Sequence, residues 1–361
     1  MSDLLETNRK ALALPPGTAT GLEVLDRVAL DASDWIVQRI EERGLQRRFE
    51  LRPARNSWSP ARSVSAPMSS PVAILGADPL LKIIDGPALD ILEGASVYAI
   101  ASATPWVAPS TLKMGTALDT LSAVATIPSA GGLGRLEDAL GAGPLGRWDE
   151  ANVIALYMPN ESPASSIEEL VLSGRNRILI ENAAGWELVA WRDATLVSAN
   201  FWHLSGLLRG LSGSPIRSVE LGADAVLVDD RLVPISLSRE DFGRTFVTQI
   251  DSGEPGSFTF QDKATLPWRV GHLCVRQLDG VAHISWSACG AEYSNNWDVQ
   301  DALVAPEFVV EFYLGETLLS QATVTETKLN LPDNGADLVR VAAVSAAGRV
   351  GEWGSIPLPR A

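Results

Sequence analysis

From about residue 58 onward, apolar residues occur in short runs closed by Pro, Gly, Ser or Asn. Runs of that length with turn residues at both ends predict strands, so 72–75, 95–101, 152–157, 177–180 and 186–191 are read as β. Ala184-Gly185 supplies turn material for a hairpin returning from Ile180. Residues 165–172 fit a short helix or a strand, and their period does not choose between the two. Residues 116–140, rich in Ala, Gly and Ser and carrying Gly131-Gly132-Leu133-Gly134, are expected to be a loop between strands. Near the start the texture differs. Asp31 or Ser33 as a cap, Trp35, Ile36, Ile40 and Leu45 as an apolar stripe, and Gly44 as a stop together predict a helix over 31–43. Residues 1–20, with Pro15-Pro16-Gly17, predict an arm.

The last hundred residues carry evenly spaced strand candidates at 272–277, 282–287, 308–313, 318–324 and 338–344. Asp279-Gly280, Gly290 and Asp333-Asn334-Gly335 separate them. That spacing predicts a β-sandwich. Ser252-Gly253-Glu254-Pro255-Gly256-Ser257 ahead of it suits a linker or hairpin. The expected organisation is therefore an arm and helix over 1–60, a β-rich region of one or two barrel-like subdomains over 61–264, and a sandwich over 265–361. The fold class is mainly β.

A chain of 361 residues agrees with two or three domains. Apolar residues at 46% and charged residues at 20% argue for packed cores rather than disorder. Acidic residues number 44 and basic residues 29, a net charge of −15, which disfavours stable binding to nucleic acid or anionic membrane. No apolar run is long enough for a membrane-spanning helix, and Met1-Ser2-Asp3-Leu4-Leu5-Glu6 lacks the order of a signal peptide. Synthesis and assembly in a cytoplasm are expected. Arg47, Arg48, Arg52 and Arg55 form a local basic patch that reads first as a solvated strand face, and otherwise as a docking surface for an acidic partner.

Candidate chemistry is sparse. Two cysteines, Cys274 and Cys289, and three histidines, His203, His272 and His283, are too few and wrongly spaced for a zinc site or disulfide scaffold. The cysteines are expected to be free thiols. Gly206-Leu207-Leu208-Arg209-Gly210 with Gly213 lacks the Lys-Ser/Thr end of a phosphate cradle, and reads as a chain reversal that needs glycine dihedrals. Asp149-Glu150, Glu168-Glu169 and Asp229-Asp230 are adjacent acids, but strand neighbours point to opposite faces, so adjacency makes no glycosidase pair. His203 near Ser205 has no G-x-S-x-G elbow beside it and reads as a strand residue. Eleven tryptophans outnumber eight phenylalanines. They suit either sandwich cores or stacking platforms for sugars. Trp286 fits a core position, and Trp353 a partly exposed one. No catalytic, metal or cofactor-binding residue is assigned, and no cofactor is expected.

The C-terminal segment resembles a fibronectin type III domain. Leu266-Pro267-Trp268 opens it, Trp286 sits on the second strand, Phe308-Val309-Val310-Glu311-Phe312-Tyr313 resembles the Y-x-V-x-x-Y strand, and the stretch from Val341 to Gly348 resembles the last-but-one strand and its turn. Such modules serve many roles. Upstream, Ala103-Thr104-Pro105-Trp106, Arg147-Trp148-Asp149, Leu172-Ser173-Gly174-Arg175-Asn176, Gly185-Trp186-Glu187 and His203-Leu204-Ser205-Gly206-Leu207-Leu208-Arg209-Gly210 occur in that order, followed by Pro267-Trp268-Arg269. Over roughly 70–355 this resembles the C-terminal half of the tail-tip host-specificity family of gene transfer agents and siphophages. The family continues after Arg-Gly with Gln-Arg-Gly-Thr, where this chain has Leu211-Ser212-Gly213-Ser214. Its members carry further domains upstream, expected here to be absent or on another chain.

The resemblance implies a baseplate hub component at a virion tail tip, joining the tail tube to host-contacting parts and supporting host attachment and DNA delivery. It implies a homo-oligomer, a trimer about the tail axis, with other tail-tip and distal tail proteins as partners and DNA only in transit. A receptor- or glycan-binding tail module is the alternative. A wall-degrading glycosidase is the more distant one, and the leading expectation is that the chain is not an enzyme.

Overall fold

The computed structural model describes residues 10–14, 23–30, 33–43, 46–54, 79–89, 96–278, 281–290, 307–332 and 335–359. The chain divides into two compact units, Met1–Ala73 and Ile74–Ala361. The strand expected over 72–75, Arg55, and the turns at Asp279-Gly280 and Asp333-Asn334 lie outside the described residues.

The first unit is a four-stranded antiparallel sheet. It contains β1 (Lys10–Leu14), β2 (Arg27–Leu30), β3 (Ser33–Arg43) and β4 (Gln46–Pro53) in the order β1-β4-β3-β2. The helix expected over 31–43 is thus a strand, and part of the expected arm is one too. The misreading has a local cause. Trp35 and Val37 are buried at strand spacing. Between the pairs Val37↔Leu51 and Arg39↔Glu50, however, β3 carries one extra residue. That bulge at Gln38 moves the next inward residue to Ile40, which packs with Trp35, Val37, Phe49 and Leu51. The resulting spacing imitates a helical stripe. On β4, Phe49 and Leu51 are buried while Arg48 and Arg52 are exposed, and Arg47 pairs with Glu42. The described part of the basic patch, Arg47, Arg48 and Arg52, lies on a solvated strand face.

The second unit begins with β5 (Leu80–Asp85), β6 (Val97–Ser102), β7 (Ser110–Gly115) and β8 (Ser122–Ile127). A six-stranded antiparallel barrel follows: β9 (Leu133–Leu136), β10 (Ile154–Tyr157), β11 (Arg177–Asn182), β12 (Gly185–Ser198), β13 (Phe201–Leu211) and β14 (Asp224–Leu227). It closes in the order β10-β13-β12-β11-β14-β9. The chain then returns with β15 (Val233–Ile235), β16 (Thr245–Ile250) and β17 (Gly256–Thr259) to complete two sheets, β15-β6-β5 and β17-β16-β7-β8. The barrel is therefore an insertion within a two-sheet body. Residues 116–140 are not the expected loop, since they hold β8 and β9. β8 is an edge strand of small, mostly exposed residues that buries only Ile127 at its end, so its apolar alternation is weak. Residues 165–172 resolve into a helix, α1 (Glu168–Leu172).

β6 explains how barrel and body join. Every residue from Val97 to Ala101 is buried. Period-2 alternation sends Val97, Ala99 and Ala101 into the core between the two sheets, with Leu112 and Phe246. It sends Tyr98 and Ile100 the other way, against Leu179, Trp186 and Leu188 on the barrel wall. Removing the Val97 and Ile100 side chains from water is worth about 1.5–3 kcal/mol each, which makes this strand a main anchor.

The chain ends in a sandwich of β18 (Gly271–Leu278), β19 (Val281–Ser287), β20 (Glu307–Leu314), β21 (Thr317–Val324), β22 (Lys328–Pro332), β23 (Leu338–Val344) and β24 (Gly354–Pro357). One sheet runs β18-β19-β22 and the other β21-β20-β23-β24. Trp286 fills the space between them and meets Phe308 edge to face, with ring centroids 5.5 Å apart.

Candidate functional site

The barrel interior is apolar along most of its length. Ile154, Leu156, Ile178, Ile180, Val189 and Trp191 are among its lining residues. On β12, alternation places Glu187 on the same inward face as Val189 and Trp191. On β13 the alternation is reset. Gly206 has φ +61°, and Leu204 and Leu207, three apart, both face the core. Arg209 then follows Leu207 at strand spacing and meets Glu187 inside.

This pair forms a sealed charge cluster. Arg209 Nε donates to Glu187 Oε1 at 2.6 Å and Nη2 donates to Oε2 at 2.9 Å. Arg209 Nη1 donates to the Gly141 carbonyl at 3.0 Å and lies 3.5 Å from Asp149 Oδ2. The Gly210 N–H donates to Glu187 Oε1 at 3.2 Å, from a residue with φ +66°. Asp149 also accepts from the Asn152 side-chain amide at 2.7 Å and from the backbone N–H groups of Ala151 and Asn152. The segment that brings Asp149 in is stitched to β13 by an antiparallel bridge between Asp149 and Leu207. Gly143 lets it come close, because a Cβ there would stand 2.8 Å from Arg209 Cγ. Two carboxylates thus share one guanidinium. Burial pushes the Glu187 carboxyl above its usual range, while the bonds from Arg209 and Gly210 pull it down and the nearby Asp149 charge adds to the rise. The side chains of Arg209, Glu187 and Asp149 are 0%, 0% and 2% exposed, so no substrate reaches them in this conformation. The cluster fixes geometry, as fully hydrogen-bonded buried ions do, rather than presenting a reactive group.

The other sequence candidates are dispersed. Glu150 and Glu168 both bond Arg192 Nη1 at 3.0 Å, Asp193 bonds its Nε at 2.8 Å, and the guanidinium lies 5.5 Å from the Trp148 ring centroid. Asp229 bonds Arg231. None of the three adjacent acid pairs forms a pair facing a common cleft. His203 is exposed and Ser205 half-buried on β13, and Asp193, in register with Ser205, is engaged by Arg192. The expected chain reversal lies later than the Leu-Leu-Arg-Gly segment. Gly206 and Gly210 sit within β13 in left-handed conformations, and the turn comes at Ser212-Gly213. Cys274 and Cys289 are free thiols, Cys274 lying 3.0 Å from the Ser285 hydroxyl. Of the described tryptophans, Trp35, Trp186, Trp191 and Trp286 are buried, and Trp106, Trp148, Trp202, Trp268 and Trp353 are half-buried. Among the described residues there is no group of His, Cys, Asp and Glu able to hold a metal ion, and no helix long and apolar enough to cross a membrane.

Three of the segments quoted above, Arg147-Trp148-Asp149, Gly185-Trp186-Glu187 and Leu207-Leu208-Arg209-Gly210, each contribute one member of the ion cluster. The sequence names these segments but gives no sign that Asp149, Glu187 and Arg209 meet, because they are far apart along the chain. The available signal was a lone charge inside an otherwise apolar strand, since such charges are rarely buried unless paired. A fourth segment reaches the joint between barrel and sandwich. Trp268 packs on Gly213, where φ is +72° and a Cβ would stand 2.5 Å from the indole Cγ.

No curated protein matches the chain. Among solved structures, the rat CD45 extracellular region, domains d3–d4, aligns with 36% of this chain and 71% of that one, at 9% identity and a TM-score of 0.20. Residues 131–227 match the family model described as Rcc01698-like, C-terminal, a family name associated with phages and gene transfer agents. That span starts just ahead of β9 and ends on Leu227, the last residue of β14, so the part of this chain similar to the Rcc01698-like C-terminal family is the closed barrel with its ion cluster.

Proposed function

We propose that this chain is a structural component of a phage or phage-like tail tip, a baseplate hub part that joins the tail tube to host-contacting parts and supports attachment and DNA delivery. One observation carries the reading: the span matched by the phage-associated family model is a closed barrel with three charged side chains sealed inside it. A barrel filled by side chains and pinned by buried ions is a stiff wall element. In this reading the chain turns over no substrate, resides at the virion tail tip, and surrounds the tail axis as a homotrimer. Its net charge of −15 keeps passing DNA from adhering to the wall.

The C-terminal sandwich is read as a fibronectin type III-like module that projects outward. Its split into β18-β19-β22 and β21-β20-β23-β24, with a core tryptophan on the second strand, supports that reading. The glycan-binding alternative requires a platform of exposed tryptophans, and among the described residues every tryptophan is buried or half-buried. Deleting the gene from a producing strain tests the proposal. Particles with defective tail tips that fail to deliver DNA are expected. Particles with normal tips and normal delivery would contradict it.

A further inference from the structure

Apart from the contact of Trp268 with Gly213, the sandwich meets the rest of its unit through charged side chains around a partly open pocket. Among the described residues, its buried apolar cluster begins at Val270, and the clusters of the barrel and the two-sheet body reach no further than Phe260. The connecting segment, residues 261–269, is held from both sides by charged side chains. Asp85, at the end of β5, accepts from the backbone N–H groups of Gln261 at 2.5 Å and Lys263 at 2.9 Å.

Arg349, in the turn between β23 and β24, takes the opposite set of groups. Its Nη2 donates to the carbonyls of Gln261 at 2.6 Å and Asp262 at 3.1 Å. Its Nη1 donates to the Asp262 carbonyl at 3.1 Å and the Thr265 hydroxyl at 2.8 Å. The guanidinium also lies 4.9 Å from the Phe242 ring centroid. Around this clamp, Arg217 pairs with Glu352 at 2.5 Å, and Lys263 Nζ donates to the Ala184 carbonyl at 2.7 Å. Beside it lies a cavity of about 190 Å³ lined by Trp186, Gly213, Lys263, Pro267 and Glu352, among others.

A joint of this kind opens more readily than a packed core. Half-exposed ion pairs and hydrogen bonds exchange for water at small net cost. A pocket open to water at the joint leaves its lining without the side-chain packing that would otherwise resist separation. The carbonyls that Arg349 holds sit on a half-exposed segment where water can replace it. We propose that Arg349 latches the C-terminal sandwich to the barrel-bearing body, and that release of the latch lets the sandwich swing out intact about residues 261–269. This inference does not depend on the tail-tip reading.

Hydrogen–deuterium exchange and small-angle scattering on the full chain test it with R349A and R217A. In R349A, exchange of the 261–266 amides rises on the order of tenfold, the change expected from losing about one net hydrogen bond to a charged group. The radius of gyration increases, while β19, β20 and β23 keep wild-type protection. R217A, which removes only the peripheral pair, gives a smaller change in the same amides. Unchanged exchange at 261–266 in R349A would overturn the proposal. So would loss of protection in β19, β20 and β23 along with the linker, because the sandwich would then depend on the joint for its fold. If R349A fails to fold, the wild-type chain in 1 M salt decides the matter, since screening then acts within about 3 Å. The linker should lose protection relative to low salt while the sandwich keeps it, and equal linker protection at both salts contradicts the latch.

Discussion

Arg209 and Glu187 form a two-pronged ion pair inside the barrel, Nε to Oε1 at 2.6 Å and Nη2 to Oε2 at 2.9 Å, with both side chains closed to solvent. Asp149 stands on the other side of the same guanidinium at 3.5 Å. One guanidinium therefore serves two buried carboxyl groups, and the hydrogen bonds around them must offset the cost of their burial.

Removing the cation should be the most damaging single change in the barrel. R209M leaves Glu187 and Asp149 buried without a counter-ion, and the expected loss is about 3–5 kcal/mol in chemical denaturation. Removing both partners of the tight pair, as R209M with E187M, should cost less than R209M alone. A double variant that is less stable than R209M would show that the pair is not the unit that matters.

The same cluster predicts a pH effect. Burial raises the Glu187 carboxyl above its ordinary range in the folded chain. A raised folded-state value means that the native barrel holds this proton more tightly than the unfolded chain does. The contribution of Glu187 to stability is then fully present below the ordinary glutamate value of about 4.3 and is lost as pH rises through the raised one. E187Q should flatten that part of the stability profile in denaturation curves taken from acid to neutral pH. A profile identical to wild type would contradict the assignment.

Gly213 should tolerate no side chain. Its φ is +72°, and an added Cβ would run into the indole of Trp268. G213A is expected to destabilise by about 1 kcal/mol or more and to shift tryptophan fluorescence. G222A, at φ +87° with nothing within 4 Å of the added Cβ, separates the backbone cost from the clash with Trp268. Equal losses in the two variants would mean that the contact contributes nothing.

How much of this was legible in the sequence depended on burial and regularity. β6 reads as a continuous apolar run because it is buried on both faces. β11 and β12 read as a hairpin because Asn182 pairs with Gly185 across a short turn. β3 did not read as a strand, because the bulge at Gln38 broke its period. β8 was invisible because its residues are small and mostly exposed, and only Ile127 at its end is buried. The ion cluster was hidden for another reason. Asp149, Glu187 and Arg209 belong to separate segments of the barrel, and only closure of the sheet brings them together. Their segments could be named from a resemblance, but their contact could not be deduced from spacing. The insertion of a complete barrel between β8 and β15 was likewise out of reach, since strand order leaves no local trace in the chain.

The central claim, that this chain is a wall element of a tail tip, is tested most directly by electron microscopy of intact particles carrying a gold label at the C-terminus of this chain. The account predicts label at the distal end of the tail, at a stoichiometry set by the ring. Label on the capsid or along the tube, or a chain found only as a free monomer converting a substrate, would contradict it.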